Sequence, residues 1–326
     1  MKVIGMYFIV LGHMFPQGYK SIYAFSVPLF FFLSGLLSRK ESDSRIFWNK
    51  VIRTLLIPMI CFCFLSLLYN IVRYRIPLIE VISNGHFWLL RVFTGCQTAF
   101  NVGGGIFPGL NACWFIYTLI IVKVVFNYIP IKVQFYFVQI ISISLAIILN
   151  NHHLFLGNSI TNSLLAYPIF LFGYSLKSRV NNLNEKFQIR SYWSWSLFIF
   201  SIGILIIVPA YNDWPKMYIN GYGKNILLFT IEVLTGLYIV YFIARLIGTR
   251  LSKIISILSR GNILTLGLHS YFVSALHGAG LLNGYVDYVY AFLIMILMIP
   301  IIIAVKKYIP WIIGIKPIRK NNLIPL

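Results

Sequence analysis

Acid is scarce in this sequence: seven Asp and Glu against 27 Lys and Arg in 326 residues, and only 10% of the chain is charged. Soluble domains carry about 25% charged and about 45–50% apolar residues. With 59% hydrophobic residues and a mean hydropathy of +0.84, this chain falls outside that class. Four cysteines are too few for a disulfide framework. There is no GxSxG elbow, no P-loop and no GxGxxG after a strand, so the common hydrolase and nucleotide-binding chemistries lack their sequence marks. A long polar insertion is absent, which excludes a separate soluble domain, and the absence of internal repeats weighs mildly against repeat-built transporters. The first apolar segment lacks a small-residue cleavage site, so it does not read as a cleaved signal peptide.

What is present is a succession of apolar stretches near the length of a bilayer-spanning helix. The spacing predicts ten spans, at 3–16, 21–38, 52–72, 113–129, 132–150, 159–176, 193–211, 225–246, 263–282 and 287–306. The expected fold is therefore all-α, a polytopic membrane bundle forming one integral domain over 1–326. The first span is short: about 14 residues rise about 21 Å, against roughly 30 Å of hydrocarbon, which leaves room for residues upstream of Met1. Between spans three and four, residues 86–113 read as an amphipathic interfacial piece followed by a Gly-rich loop, with Gly103–Gly105 as a flexible turn. Cys96 and Cys113 flank that loop and are open to pairing in an oxidising compartment, although spacing alone does not fix disulfide geometry.

The basic charge is distributed rather than clustered. With the N-terminus inside, 21 of the 27 basic residues fall on the cytoplasmic side and six, Lys20, Arg73, Arg75, Arg91, Lys216 and Lys224, outside. That asymmetry is the positive-inside rule. It predicts a multi-pass membrane protein with both termini cytoplasmic, in contact with anionic headgroups, and no nucleic-acid partner.

Ionisable groups inside the slab are the functional candidates. Six of the seven acids sit in loops or at span ends; Glu232 lies within the eighth span, where an acid costs about 2.5–3.5 kcal/mol on insertion scales. It reads either as a paired structural carboxylate or as part of a site. His13 lies eleven residues past Lys2, about 16 Å along a helix. An imidazole can stay neutral there and still accept a proton, which suits a general base. His269 and His277 share a segment on roughly the same face, whereas His86 and the pair His152–His153 read as surface groups. Ligand spacing for zinc is missing, so no metal is expected.

Four stretches, in order, carry a resemblance. "KVIGMYFIVLGH" (2–13) pairs a basic residue with a His eleven positions on; "VPLFFFLSGLL" (27–37) joins Pro, an aromatic run and Ser-Gly; "KVIRTLLIP" (50–58) is a basic helix entry; "CWFIYTLI" (113–120) holds Trp-Phe. "SRGNILTLGLH" (259–269) is similar to a later motif of the same family, with Gly267 where Tyr is usual. Together they resemble the acyltransferase family 3 membrane proteins, the O-acyltransferases of bacterial surface sugars. Lys2 stands where that family usually has Arg, which keeps the charge and loses the bidentate fork.

The resemblance implies a bacterial inner membrane, and transfer there of an acyl group, acetyl from acetyl-CoA in the first instance, to a hydroxyl of a cell-surface glycan or its lipid-linked precursor. His13 would be the general base, with Glu232 or His269 orienting it or lining the cavity. Lys2, Lys50 and Arg53 would hold the donor's phosphates. Trp114 belongs to the implied substrate site. Ser34 has two readings, an oxyanion donor or a small residue for close helix packing. Direct transfer and an acyl-His intermediate both remain open. The alternatives from other classes are a transporter or flippase for a glycan or lipid-linked sugar, and a polysaccharide polymerase.

Overall fold

A backbone in hydrocarbon must satisfy its N–H and C=O groups within its own segment, so the apolar runs become helices. The computed structural model describes residues 1–315 apart from 76, 84, 86–99, 103–104, 108–112, 153, 155–157, 181, 183–190 and 249–250. Its helices are α1 (Lys2–Gly12), α2 (Tyr19–Leu37), α3 (Ser44–Arg73), α4 (Leu78–Ser83), α5 (Cys113–Tyr128), α6 (Ile131–Asn151), α7 (Asn158–Leu176), α8 (Tyr192–Asn212), α9 (Ile226–Ile247), α10 (Ser252–Arg260), α11 (Asn262–Gly278) and α12 (Asp287–Tyr308). Among the described residues six of these, α2, α3, α6, α8, α9 and α12, are long and apolar enough to cross a membrane. The helices α1 and α5 are apolar but shorter, and α7 and α11 complete the bundle. Large apolar side chains such as Phe64, Val72, Ile140, Trp193 and Ile206 point outward, as a lipid-facing surface requires.

Local chemistry sets several boundaries. Asp43 caps α3 by accepting from the amides of Arg45 (2.7 Å) and Ile46 (3.4 Å), and Asn225 caps α9 the same way at Leu227 (2.7 Å) and Leu228 (3.4 Å). Within α3 the stretch Ile52–Leu56 widens into a π turn. Pro58 has no amide to give the carbonyl of Thr54, and the turn before it opens. The first helix ends at Gly12 rather than at residue 16: Pro16 disfavours helical backbone at Phe15. In the region expected to be loop, Phe100–Val102 and Gly105–Phe107 pair as a short antiparallel ladder, with Val102 opposite Gly105. Strand-forming Phe, Val and Ile supply it. The amphipathic piece at 86–99 lies outside the described residues.

The bundle is organised around α2, which touches α1, α7, α8 and α9. Its tightest crossing is with α7. A Cβ on Gly35 would collide with the backbone carbonyl of Phe170, and a Cβ on Gly173 would collide with that of Phe32. The two helices therefore meet backbone to backbone through reciprocal glycines. Ser34 lies beside Gly35 and its side chain turns to a different face, so the close approach belongs to the glycine.

Candidate active site

Helices α1 and α11 run parallel and place two imidazoles together. The rings of His13 and His269 lie 4.7 Å apart between centroids at 79°, edge to face. His13 Nδ1 is 2.8 Å from the carbonyl of Ile9. His269 Nδ1 faces the carbonyls of Thr265 (3.0 Å) and Leu266 (2.9 Å). A carbonyl only accepts, so in both residues Nδ1 carries the hydrogen and a neutral ring keeps its lone pair on Nε2. His269 is 0% exposed and its Nε2 has no partner among the described residues; His13 is partly exposed. His277, the other histidine of α11, is exposed near the far end of that helix.

Toward the Lys2 end of α1, a cavity of about 160 Å³ is lined by Lys2, Met6, Ser34, Phe115, Asn262 and Leu266, among others. Met6 and His13 are seven residues apart, two turns of one face, so the cavity lies along the helix below the imidazoles. Cationic groups gather at this end. Lys123 of α5 sits within electrostatic range of Lys2 and Lys50 and donates to Ser38 Oγ at 3.2 Å. Lys50 is paired with Glu41 at 2.9 Å, so an anion would have to displace that carboxylate. Arg53, in the π turn, buries an Nε that has no partner among the described residues. A buried guanidinium nitrogen without an acceptor fits an anionic group.

The remaining candidates fall elsewhere. Glu232 is fully buried, but its Oε2 accepts from Asn212 Nδ2 at 2.7 Å. Asn212 also donates to the carbonyl of Tyr222 (3.1 Å) and accepts from the amide of Asn225 (2.9 Å) through Oδ1. Glu232 thus ties down the loop between α8 and α9, a network distinct from the histidine pair. Trp114 is 6% exposed and packs edge to face on Phe115; the cavity lining on α5 comes from Phe115, Ile116 and Leu119. Cys113 is a free, buried thiol that hydrogen-bonds Cys63, and Cys96 lies outside the described residues, as do His86 and His153.

Sequence reasoning overlooked Asn262, whose Nδ2 reaches the carbonyl of Lys2 at 3.5 Å and whose Oδ1 is buried without a partner among the described residues. It also overlooked a polar strip on α3. Ser66 and Asn70 are buried with unpartnered atoms, on the side where Phe62 meets Gly267 and Tyr69 donates to Ser274 (2.9 Å). The signal was there: polar residues one turn apart in an otherwise apolar span. The same contact explains Gly267, because the ring of Phe62 fills the space a side chain would take.

The helical bundle thus sets a pair of imidazoles above a cavity lined in part by Lys2. Residues 1–318 match the acyltransferase domain family designated Acyl_transf_3. The chain belongs to that family and is a membrane acyltransferase. A search of the curated proteins and of the solved structures finds no match.

Proposed function

We propose that this protein moves an acetyl group from acetyl-CoA to a hydroxyl of a surface glycan or its lipid-linked precursor, with His13 as general base. The observation that supports it best is the histidine pair, in which Nδ1 of His13 is committed to the carbonyl of Ile9 and Nε2 is left to take a proton. In the step itself the acceptor hydroxyl gives its proton to Nε2 as its oxygen bonds to the thioester carbon. The C–S bond then breaks, the CoA sulfur leaves as thiolate, and the imidazolium returns the proton to it. A base so placed typically contributes about 10²–10⁴-fold. In this reading His269 holds the plane of the His13 ring by edge-to-face packing, while Ser34 lines the cavity at the Lys2 end of α1, far from the imidazoles, and would meet the donor rather than the oxyanion.

In this reading the charge asymmetry, by the positive-inside rule, puts Lys2 on the cytoplasmic side, and the membrane is a bacterial inner membrane. Lys2, Lys123 and Arg53 then meet the donor's phosphates, and the pantetheine arm enters along α1. The test uses the full-length protein in lipid nanodiscs with labelled acetyl-CoA and the surface glycan of its own cells, deacylated with dilute base. Label is expected in the glycan. Arg53→Ala is expected to raise the KM for acetyl-CoA more than it lowers kcat, because phosphate contacts are shared by ground and transition states. Unchanged donor dependence in Arg53→Ala would reduce Arg53 to a topological charge, and a glycan that stays unlabelled would remove the proposed reaction.

A further inference from the structure

The other end of α1 carries an aromatic group that the transfer chemistry does not use. Phe15, Tyr19, Tyr23 and Trp214 form one cluster: Trp214 meets Phe15 at 5.7 Å, Tyr19 at 5.3 Å and Tyr23 at 5.4 Å, all edge to face. Tyr23 also stacks on Phe15 at 6.0 Å and 22°, and lies 5.9 Å from the ring of His13. Tyr23 therefore joins the cluster directly to the base.

Two features are costly for a purely structural cluster. Phe15 sits at φ 56°, left-handed backbone that glycine adopts freely, and the residue before a proline is ordinarily extended. Burial does not offset that strain, since Phe15 is 53% exposed. The indole Nε1 of Trp214 is buried and has no acceptor among the described residues, an unmade hydrogen bond of the kind that points to an absent partner. The loop bearing Trp214 is also held firmly. Glu232 and Asn212 anchor its base, Lys20 pairs with Asp213 at 2.7 Å, and the ammonium of Lys216 lies 4.4 Å from the Trp214 ring centre. That hydrogen bond from Lys20 keeps the Asp213 carboxyl below the usual carboxylate range, so the tie persists at neutral pH and loosens only as pH falls through that lowered value. Backbone strain held by a rigid surround is typical of ligand clamps.

We propose that Phe15, Tyr23 and Trp214 are the acceptor platform. One apolar face of a sugar ring lies on the exposed Phe15 ring, and the Trp214 N–H donates to a sugar oxygen. Past Tyr23, one hydroxyl reaches Nε2 of His13. An aromatic face with a polar rim of Lys20, Asp213 and Lys216 matches a ligand that is apolar on its ring faces and hydroxyl-bearing at its edge. This rests on the reading of His13 as base, and names what the base acts on.

Two variants test it in the full-length protein in nanodiscs, with the base-deacylated surface glycan as probe. Binding is followed by saturation-transfer NMR and transfer with labelled acetyl-CoA. Phe15→Gly suits the backbone and removes the ring, so it is expected to melt at or above the wild-type temperature. Trp214→Phe keeps an aromatic ring and removes the N–H. Each is expected to raise the half-saturating glycan concentration roughly three- to tenfold, the range of one aromatic contact for Phe15→Gly and of one hydrogen bond for Trp214→Phe, with acetyl-CoA half-saturation unchanged. Wild-type glycan half-saturation in both variants, or no glycan binding by the wild type, overturns the platform. Transfer that proceeds while both variants keep wild-type glycan dependence removes the platform and leaves the acyl-transfer reading standing. Glycan binding that both variants weaken, with no label transferred by the wild type, supports the platform and removes that reading.

Discussion

His13→Gln is expected to insert, fold and melt like the wild type while losing acyl transfer by about 10²-fold or more. Glutamine keeps the length and a donor for the carbonyl of Ile9, which His13 Nδ1 contacts at 2.8 Å, but it has no group that accepts a proton at neutral pH. His13→Ala is expected to behave the same way, because the residue is partly exposed and its ring neighbours are two, His269 and Tyr23. Light-scattering chromatography and a melting curve establish folding; the labelled-acetyl assay establishes activity. Well-folded His13→Gln with substantial transfer would move the base to His269, whose Nε2 is buried and unpartnered among the described residues.

The second large effect is structural. Gly173→Val is expected to prevent accumulation of folded protein, because its side chain would enter the backbone of Phe32 on α2. No rotamer relieves a clash with backbone, so the helices must separate. Overpacking a well-filled core already costs about 1–3 kcal/mol, and here the reciprocal contact at Gly35 against Phe170 would be lost as well. Since α2 also presents Ser34 to the cavity, material that does fold is expected to be impaired in transfer. Fluorescence-detected chromatography of detergent extracts checks this; a monodisperse peak of wild-type height for Gly173→Val would show that the α2–α7 crossing is looser than described.

Much of the fold was legible because the bilayer leaves few choices. Apolar length and the mandatory internal hydrogen bonds of a span located the helices to within a few residues. What the sequence left open is what tertiary packing decides. His269 and His277 are equivalent on paper, and only the parallel course of α1 and α11 brings the first against His13. Glu232 stood out as an acid within a span, and only the fold shows that its Oε2 meets Asn212, twenty residues away across a loop, while Oε1 has no partner among the described residues. Phe15 gave no hint of left-handed backbone, which glycine would have advertised. The pairing of Gly35 with Gly173 joins helices with four others between them in the chain order, beyond the reach of any local pattern. The short ladder at 100–107 was hidden by its glycines, which read as a loop.

The most direct test of the proposed reaction is mass spectrometry of the surface glycans from cells with the protein, from cells lacking it, and from cells carrying His13→Gln. The glycan repeat is expected to carry the mass of one acetyl group only where the wild-type protein is present, with the increment removed by dilute base as an ester requires. Identical glycan masses in all three would contradict acyl transfer to a surface glycan.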